Sequence, residues 1–181
     1  MPFSFFGRKN SGDFPKQFTD ISFASLPAKE HAVTQYAKEN PGSVFIGWFS
    51  QTLAEFRGLF AANGMDENRV TDAKHFSALR TGAGEIIFLE HYPLHEKEIA
   101  LVRESTQQKF TVYNSLTEPF FTHFGSEKII ELMNRMGFGE NEPLQHPMIS
   151  TAVKNAQQKL AKKITIEQSA VSQQEWMRKN A

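Results

Sequence analysis

The 181-residue chain has no cysteine. That excludes a disulfide framework, a thiolate nucleophile and any thiolate-based zinc site, and it fits a reducing, cytoplasmic compartment. Long apolar runs are also missing. Nowhere do about 18 apolar residues follow one another, so no segment reads as a transmembrane helix. The opening MPFSFFGRKNSGDFP has no basic region ahead of its short apolar run and does not read as a signal peptide. Neither sign of charge is in excess: 20 Lys and Arg balance 20 Asp and Glu. No overall field therefore draws the chain to nucleic acid or to an anionic membrane. There is no GxxxxGK[ST] phosphate loop, no G-x-S-x-G nucleophile elbow and no internal repeat.

What is present is a chain of one-domain size, long enough to bury a real core. It carries 17 Phe, which suggests a core filled by aromatic rings. Residues 1–16 mix Phe with Gly, Asn, Ser and Pro without periodicity and read as an arm. DISFA (residues 20–24) alternates like a short strand, and Ser25 with Pro27 opens a helix to about Glu39. SVFIGWF (residues 43–49) is a buried-strand run. Thr52 to Glu55 has the spacing of a capping box, and Leu53, Phe56, Leu59 and Phe60 share one helical face. RVTDA, EIIFLEHY and KFTVYNSL supply further strands. Pro93 is expected to open a helix to about Glu104, and Ser115 to Glu118 to cap the one after it.

Strands alternating with helices imply parallel pairing by right-handed crossovers. The predicted fold is α/β, a three-layer sandwich with a mainly parallel sheet of four or five strands and a long C-terminal helix. The domain division is an N-terminal arm at 1–16, an α/β domain at 17–137, and a linker with the C-terminal helix at 138–181. Near Gly125-Ser126 the helix from Thr117 breaks, then resumes with Ile129, Ile130, Met133 and Met136 at core spacing. From Pro147 the last helix carries Ile149, Val153, Ala156 and Leu160 as one apolar seam on a polar rod. That seam either folds back on the body or takes a partner, including a second copy of the chain. Met148 and Trp176 are expected beside any strip left exposed.

SLTEPFFTHFGSEKIIELMNRMGFGENEPLQHPMISTAVKNAQQKLAKK (residues 115–163) resembles a segment of the SecA preprotein translocase ATPase family. It is the segment that leaves the second nucleotide-binding domain and enters the helical scaffold. Phe124-Gly125-Ser126-Glu127, Glu142-Pro143, His146-Pro147 and Ala156-Gln157 stand where that family has the same residues. Upstream, Asp20, Lys29, Ala32 and Ala73-Lys74-His75 match more thinly, so the resemblance covers roughly residues 19–163. It implies a RecA-like, helicase C-terminal-like fold related to the P-loop NTPases, and a link to protein transport. The departures bear on activity. The family's TIATNMAGRGTD has no counterpart, and its arginine-finger motif GRAGRQGD is replaced by ALVREST. Arg103 falls at the second arginine, a remnant finger, and Ala100 at the first.

In open α/β sheets ligands gather outside the carboxyl ends of the strands, which selects Ser50, Lys74, His75, Glu90, His91 and Ser115 as the candidate site. Gly82-Ala83-Gly84 is a poor phosphate cradle, since no Lys-Ser/Thr follows. His91 and His95 straddle a strand–Pro–helix junction and lack helical i, i+4 geometry, so no metal site is expected. His146 is expected to fix the turn into the last helix. The leading expectation is a non-catalytic SecA-like protein-interaction or regulatory module linked to protein export, with a protein partner, no cofactor and no catalytic residues. The alternative is a nucleotide-sensing half-site that completes a partner ATPase in trans through Arg103. A third reading is a small-molecule enzyme around His75 and His91.

Overall fold

In the computed structural model the described residues are 16–79 and 84–181. The Phe-rich arm at 1–15, and Gly82 and Ala83, lie outside them. Five strands form one sheet: β1 (Gln17–Phe23), β2 (Val44–Gly47), β3 (Val70–Asp72), β4 (Ile86–Phe88) and β5 (Lys109–Ser115). Their order is β1-β5-β4-β2-β3, and every pairing is parallel. This is the α/β sandwich that the alternation of elements implies.

Helices α1 (Leu26–Glu39) and α2 (Ser50–Ala62) cover one face. There Val33, Ala37, Phe56 and Phe60 bury against Phe45, Ile87 and Tyr113. Ser25 caps α1 as its sequence indicates, its hydroxyl accepting from the Ala28 amide at 3.3 Å. On the other face lie a 3-10 helix (Ala73–Leu79) and α3 (His95–Val102). Phe76, Phe88 and Phe110 meet there in tilted, stacked and edge-on pairs 5.9–6.4 Å apart. The aromatic core that the composition suggests is real.

After β5 come α4 (Pro119–His123), α5 (Glu127–Arg135), α6 (Pro147–Lys163) and α7 (Gln173–Asn180). Gly125 and Gly137, at φ +78° and +79°, make the break and the stop in a conformation that costs a side chain but not glycine. At the head of α6 the His146 ring nitrogen accepts from the Met148 amide at 3.2 Å, so His146 is an N-cap and fixes the turn. The seam of α6, Ile149, Val153, Ala156 and Leu160, is buried in the protein's own core. No helix among the described residues is long and apolar enough to cross a membrane.

Several local expectations are corrected. The capping box at Thr52 is not made. The helix starts three residues earlier with Phe49 at its N-cap, and the Thr52 hydroxyl donates to Glu90 instead. Pro93 does not open α3; Leu94 is the N-cap and the helix runs only from His95 to Val102. Of the α5 positions assigned to the core, Met133 is buried but Met136 is 66% exposed. Trp176 does not border an exposed strip: it is fully buried on α7.

Candidate functional site

The strand ends carry two buried polar clusters, built from residues far apart in the chain. Asp20 lies on β1, paired with Val112 and diagonal to Asn114 of β5, and α3 brings Glu98 to the same place. His91, just beyond β4, lies between the two carboxylates. Its Nε2 meets Asp20 Oδ1 at 2.6 Å, and its Nδ1 meets Glu98 Oε1 at 2.7 Å. All three side chains are 1–2% exposed. Burial alone would lower the His91 pKa, but attraction to Glu98 and Asp20 and the bonds to both overcome it and raise it to about 10. Burial likewise raises Asp20 and Glu98, and the attraction and bonds of His91 reverse that, leaving both below the ordinary carboxylate value. The ring is therefore an imidazolium donating to both sides.

The remaining lone pairs are taken up from neighbouring elements. Asn114 donates to Asp20 at 2.6 Å and the Ser150 hydroxyl of α6 bonds its other oxygen. Gln157 of α6 spans Glu98 and the Tyr92 carbonyl, each at 2.8 Å. Gln173 of α7 bonds the His91 carbonyl at 3.3 Å and accepts from the Phe120 amide at 2.8 Å. Helices α6 and α7 are thus fastened to the sheet by polar pins as well as by apolar contact.

The second cluster centres on Lys29, whose side chain is 2% exposed. Its ammonium bonds the Leu89 carbonyl and Glu118 Oε1, the latter at 2.5 Å, and lies 5.3 Å from the centre of the Phe56 ring. Glu118 Oε1 also accepts from the Ser115 amide at 3.0 Å, while its Oε2 has no partner among the described residues. Beside it Glu90 takes the Trp48 and Phe49 amides and the Thr52 hydroxyl, the last at 2.9 Å. Burial pushes Glu90 up to about 7, with Lys29 opposing and Glu118 adding to the rise. A crevice of about 220 Å³ opens onto Lys29, Thr52, Glu90 and Glu118.

The candidate residues are not gathered at one point. Glu90, His91 and Ser115 are buried together at the carboxyl ends of β4 and β5, with the Ser115 hydroxyl 2.7 Å from that of Thr117. Ser50 is exposed at the start of α2 and bonds the Val171 carbonyl at 3.3 Å. Lys74 and His75 are exposed on the 3-10 helix that follows edge strand β3, three strands away from β5. Arg103 is exposed at the C-terminal end of α3. Because β4 and β5 are parallel, α3 returns the chain to the start of β5, so Arg103 lies toward the opposite, amino edge of the sheet. His91 and His95 both turn Nδ1 to Glu98, at 2.7 and 3.3 Å, rather than facing a common point.

Sequence reasoning did not single out Lys29, Glu98, Asp20 or Glu118 as site residues. A signal for Asp20 exists, namely an acid at the inward position of the alternating strand DISF.

Comparison with known proteins agrees with the resemblance read from residues 115–163. The chain is 27% identical over 151 residues to the protein translocase subunit SecA of Thiobacillus denitrificans, covering 77% of this chain and 17% of the relative. SecA of Methylococcus capsulatus is 30% identical over 144 residues, covering 77% and 16%. SecA of Christiangramia forsetii is 48% identical over 48 residues, covering 26% and 4%. No protein-family model matches. The chain spans less than a fifth of the length of these relatives. It is a SecA-like polypeptide, similar to one segment of that translocase subunit.

Proposed function

We propose that this chain is a non-catalytic, RecA-like and helicase C-terminal-like module that works by binding protein, in a role related to protein translocation. One observation carries the reading: the buried strand-end histidine and lysine are held by carboxylates. Both ring nitrogens of His91 are held by carboxylates, so the ring has no lone pair with which to act as a base. The Lys29 ammonium is tied to Glu118 and a carbonyl rather than free to grip a phosphate. The translocation link rests on the printed function of the relatives, protein translocase subunits.

Isothermal titration of the chain with Mg-ATP and Mg-ADP, together with a phosphate-release assay, tests it. Neither binding heat nor turnover is expected, and tight binding with turnover by the isolated chain overturns it. A second reading, a half-site completing a partner ATPase, draws on the exposure of Arg103. There Arg103→Ala lowers the partner's turnover and leaves association intact, and an unchanged rate refutes it.

A further inference from the structure

Among the described residues strand β1 is an edge strand. Gln17 donates its amide to Gln108, and Phe23 accepts from Leu116, so odd-numbered residues of β1 turn their backbone toward β5. Even-numbered residues turn outward, and Ser22 shows what that edge accepts. Its amide and carbonyl both pair with Leu144, in antiparallel sense, at 3.1 and 2.7 Å. Continuing that pairing would put His146 opposite Asp20, but His146 caps α6 and Pro147 opens it, so the chain turns into the helix instead. The outward amides and carbonyls of Phe18 and Asp20 therefore have no hydrogen bond from any described residue. An unpaired edge of this kind is a template for another strand.

The same edge forms one wall of a cleft of about 880 Å³ whose opposite wall is α6. Phe18 and Val153 supply apolar surface, while Asp20, His91 and Glu98 lie almost wholly buried in its floor. The charged side chains that reach its rim are Lys154, exposed, and Lys16, half buried, whose ammonium donates to the Ser105 carbonyl and, at 2.9 Å, to that of Gln107. The other titratable groups facing it are His95, half buried, and His146, which caps α6. No exposed carboxylate lines the cleft among the described residues.

We propose that this cleft takes an extended, acidic segment of a partner protein, which adds to β1 as an antiparallel strand. The segment's main chain satisfies the Phe18 and Asp20 edge, and its acidic side chains meet Lys154, with the carbonyl-held Lys16 adding positive charge at the rim. This is recognition by strand addition, in which backbone bonds give affinity and side-chain contacts give choice. About four residues fit along the free edge at the usual rise per residue. The inference deepens the protein-binding reading by placing the surface and the chemistry of what docks there.

A fluorescein-labelled acetyl-Glu-Val-Glu-Val-Glu-Val-amide is the probe, read by anisotropy with the full chain. Binding is expected, weakened by salt and lost for the Lys-Val counterpart. Lys154→Glu weakens it roughly tenfold, the effect of reversing one contacting charge. N-methylation of alternate peptide amides abolishes it. In amide hydrogen exchange the peptide slows Phe18 and Asp20 but not Thr19 or Ile21, which already lie in the ladder with β5.

Equal binding of the N-methylated peptide overturns the proposal, as does absence of binding. Phe18 and Asp20 amides already protected in the free chain would overturn it too, because this chain's own arm would then be the occupant. The two readings fail separately. ATP turnover by the chain removes the non-catalytic reading and leaves peptide binding as measured, whereas failed peptide binding removes the cleft alone.

Discussion

Replacing His91 by alanine probes a buried cluster of one cation between two carboxylates. The substitution leaves Asp20 and Glu98, at 3% and 1% exposure, as neighbouring carboxylates without their common cation. Removing one partner of a buried pair costs about 3–5 kcal/mol, because the remaining charge is stranded in a low dielectric. Total stabilities run from about 5 to 15 kcal/mol, so the loss is a large share. For a chain of this size it corresponds to a fall in Tm of roughly 6–20 °C. Urea and thermal unfolding followed by circular dichroism measure it.

The triple variant Asp20→Asn, His91→Gln, Glu98→Gln should be more stable than His91→Ala, since it removes the stranded charges as well as the ring. A loss below about 1 kcal/mol in His91→Ala, the size of an ordinary surface substitution, would refute the reasoning.

The same cluster fixes a pH profile. His91 titrates at about 10 in the folded protein against an ordinary 6.5. Its contribution is therefore complete below pH 6.5 and is lost as the pH rises through about 10. Asp20 and Glu98 are held below their ordinary values, so theirs is present above those values and is lost as the pH falls through the lowered ones.

Glu90 works in the opposite sense. Its folded pKa of about 7 lies above the ordinary 4.5, so the folded state is penalised progressively as the pH rises from 4.5 through 7. Glu90→Gln should therefore gain stability relative to the native chain at pH 8 compared with pH 4.5, and equal urea midpoint differences at the two pH values would contradict this. Trp176→Ala should cost about 3–5 kcal/mol, since the ring is fully buried and its Nε1 bonds Glu167 at 2.8 Å. Loss of amide protection along α7 in hydrogen exchange would accompany it, and a cost under about 1 kcal/mol would mean that α7 is not docked as described.

The sheet was legible because two of its strands are nearly continuous apolar runs, VFIGWF and IIFL, and because helices separate the strands. Ser25, Gly125-Ser126 and His146-Pro147 marked helix ends through local chemistry that needs no tertiary knowledge. Thr52 misled for the converse reason. Its hydroxyl has the spacing of a cap, but Glu90, 38 residues away in sequence, competes for it and wins. The α7 stretch QQEWMRKN is polar except at Trp176 and Met177, so periodicity was nearly silent there. Its burial depends on Tyr92 and Glu167, which only the fold brings near. The Asp20–His91–Glu98 cluster joins residues 71 and 7 positions apart. No local spacing encodes it, and strand-end reasoning reached His91 without its partners.

On the proposed reading, those partners let one arrangement occupy the buried strand-end groups and shape a surface at once. An apolar seam holds α6 against the body but leaves its rotation about its own axis only loosely fixed, because dispersion contacts are non-directional. Ser150 and Gln157 remove that freedom by bonding Asp20 and Glu98 at two points along the helix. A buried ionic cluster is weak evidence for net stability, and specifying a register is its best-attested use. Here the register it sets is the position of α6 relative to the outer edge of β1, and hence the width of the cleft between them. On that account, variants that neutralise the cluster while keeping the fold should blunt strand addition even though none of them lies at the cleft's rim. Comparing peptide affinity in the triple variant with that in Lys154→Glu separates loss of the wall's position from loss of its charge.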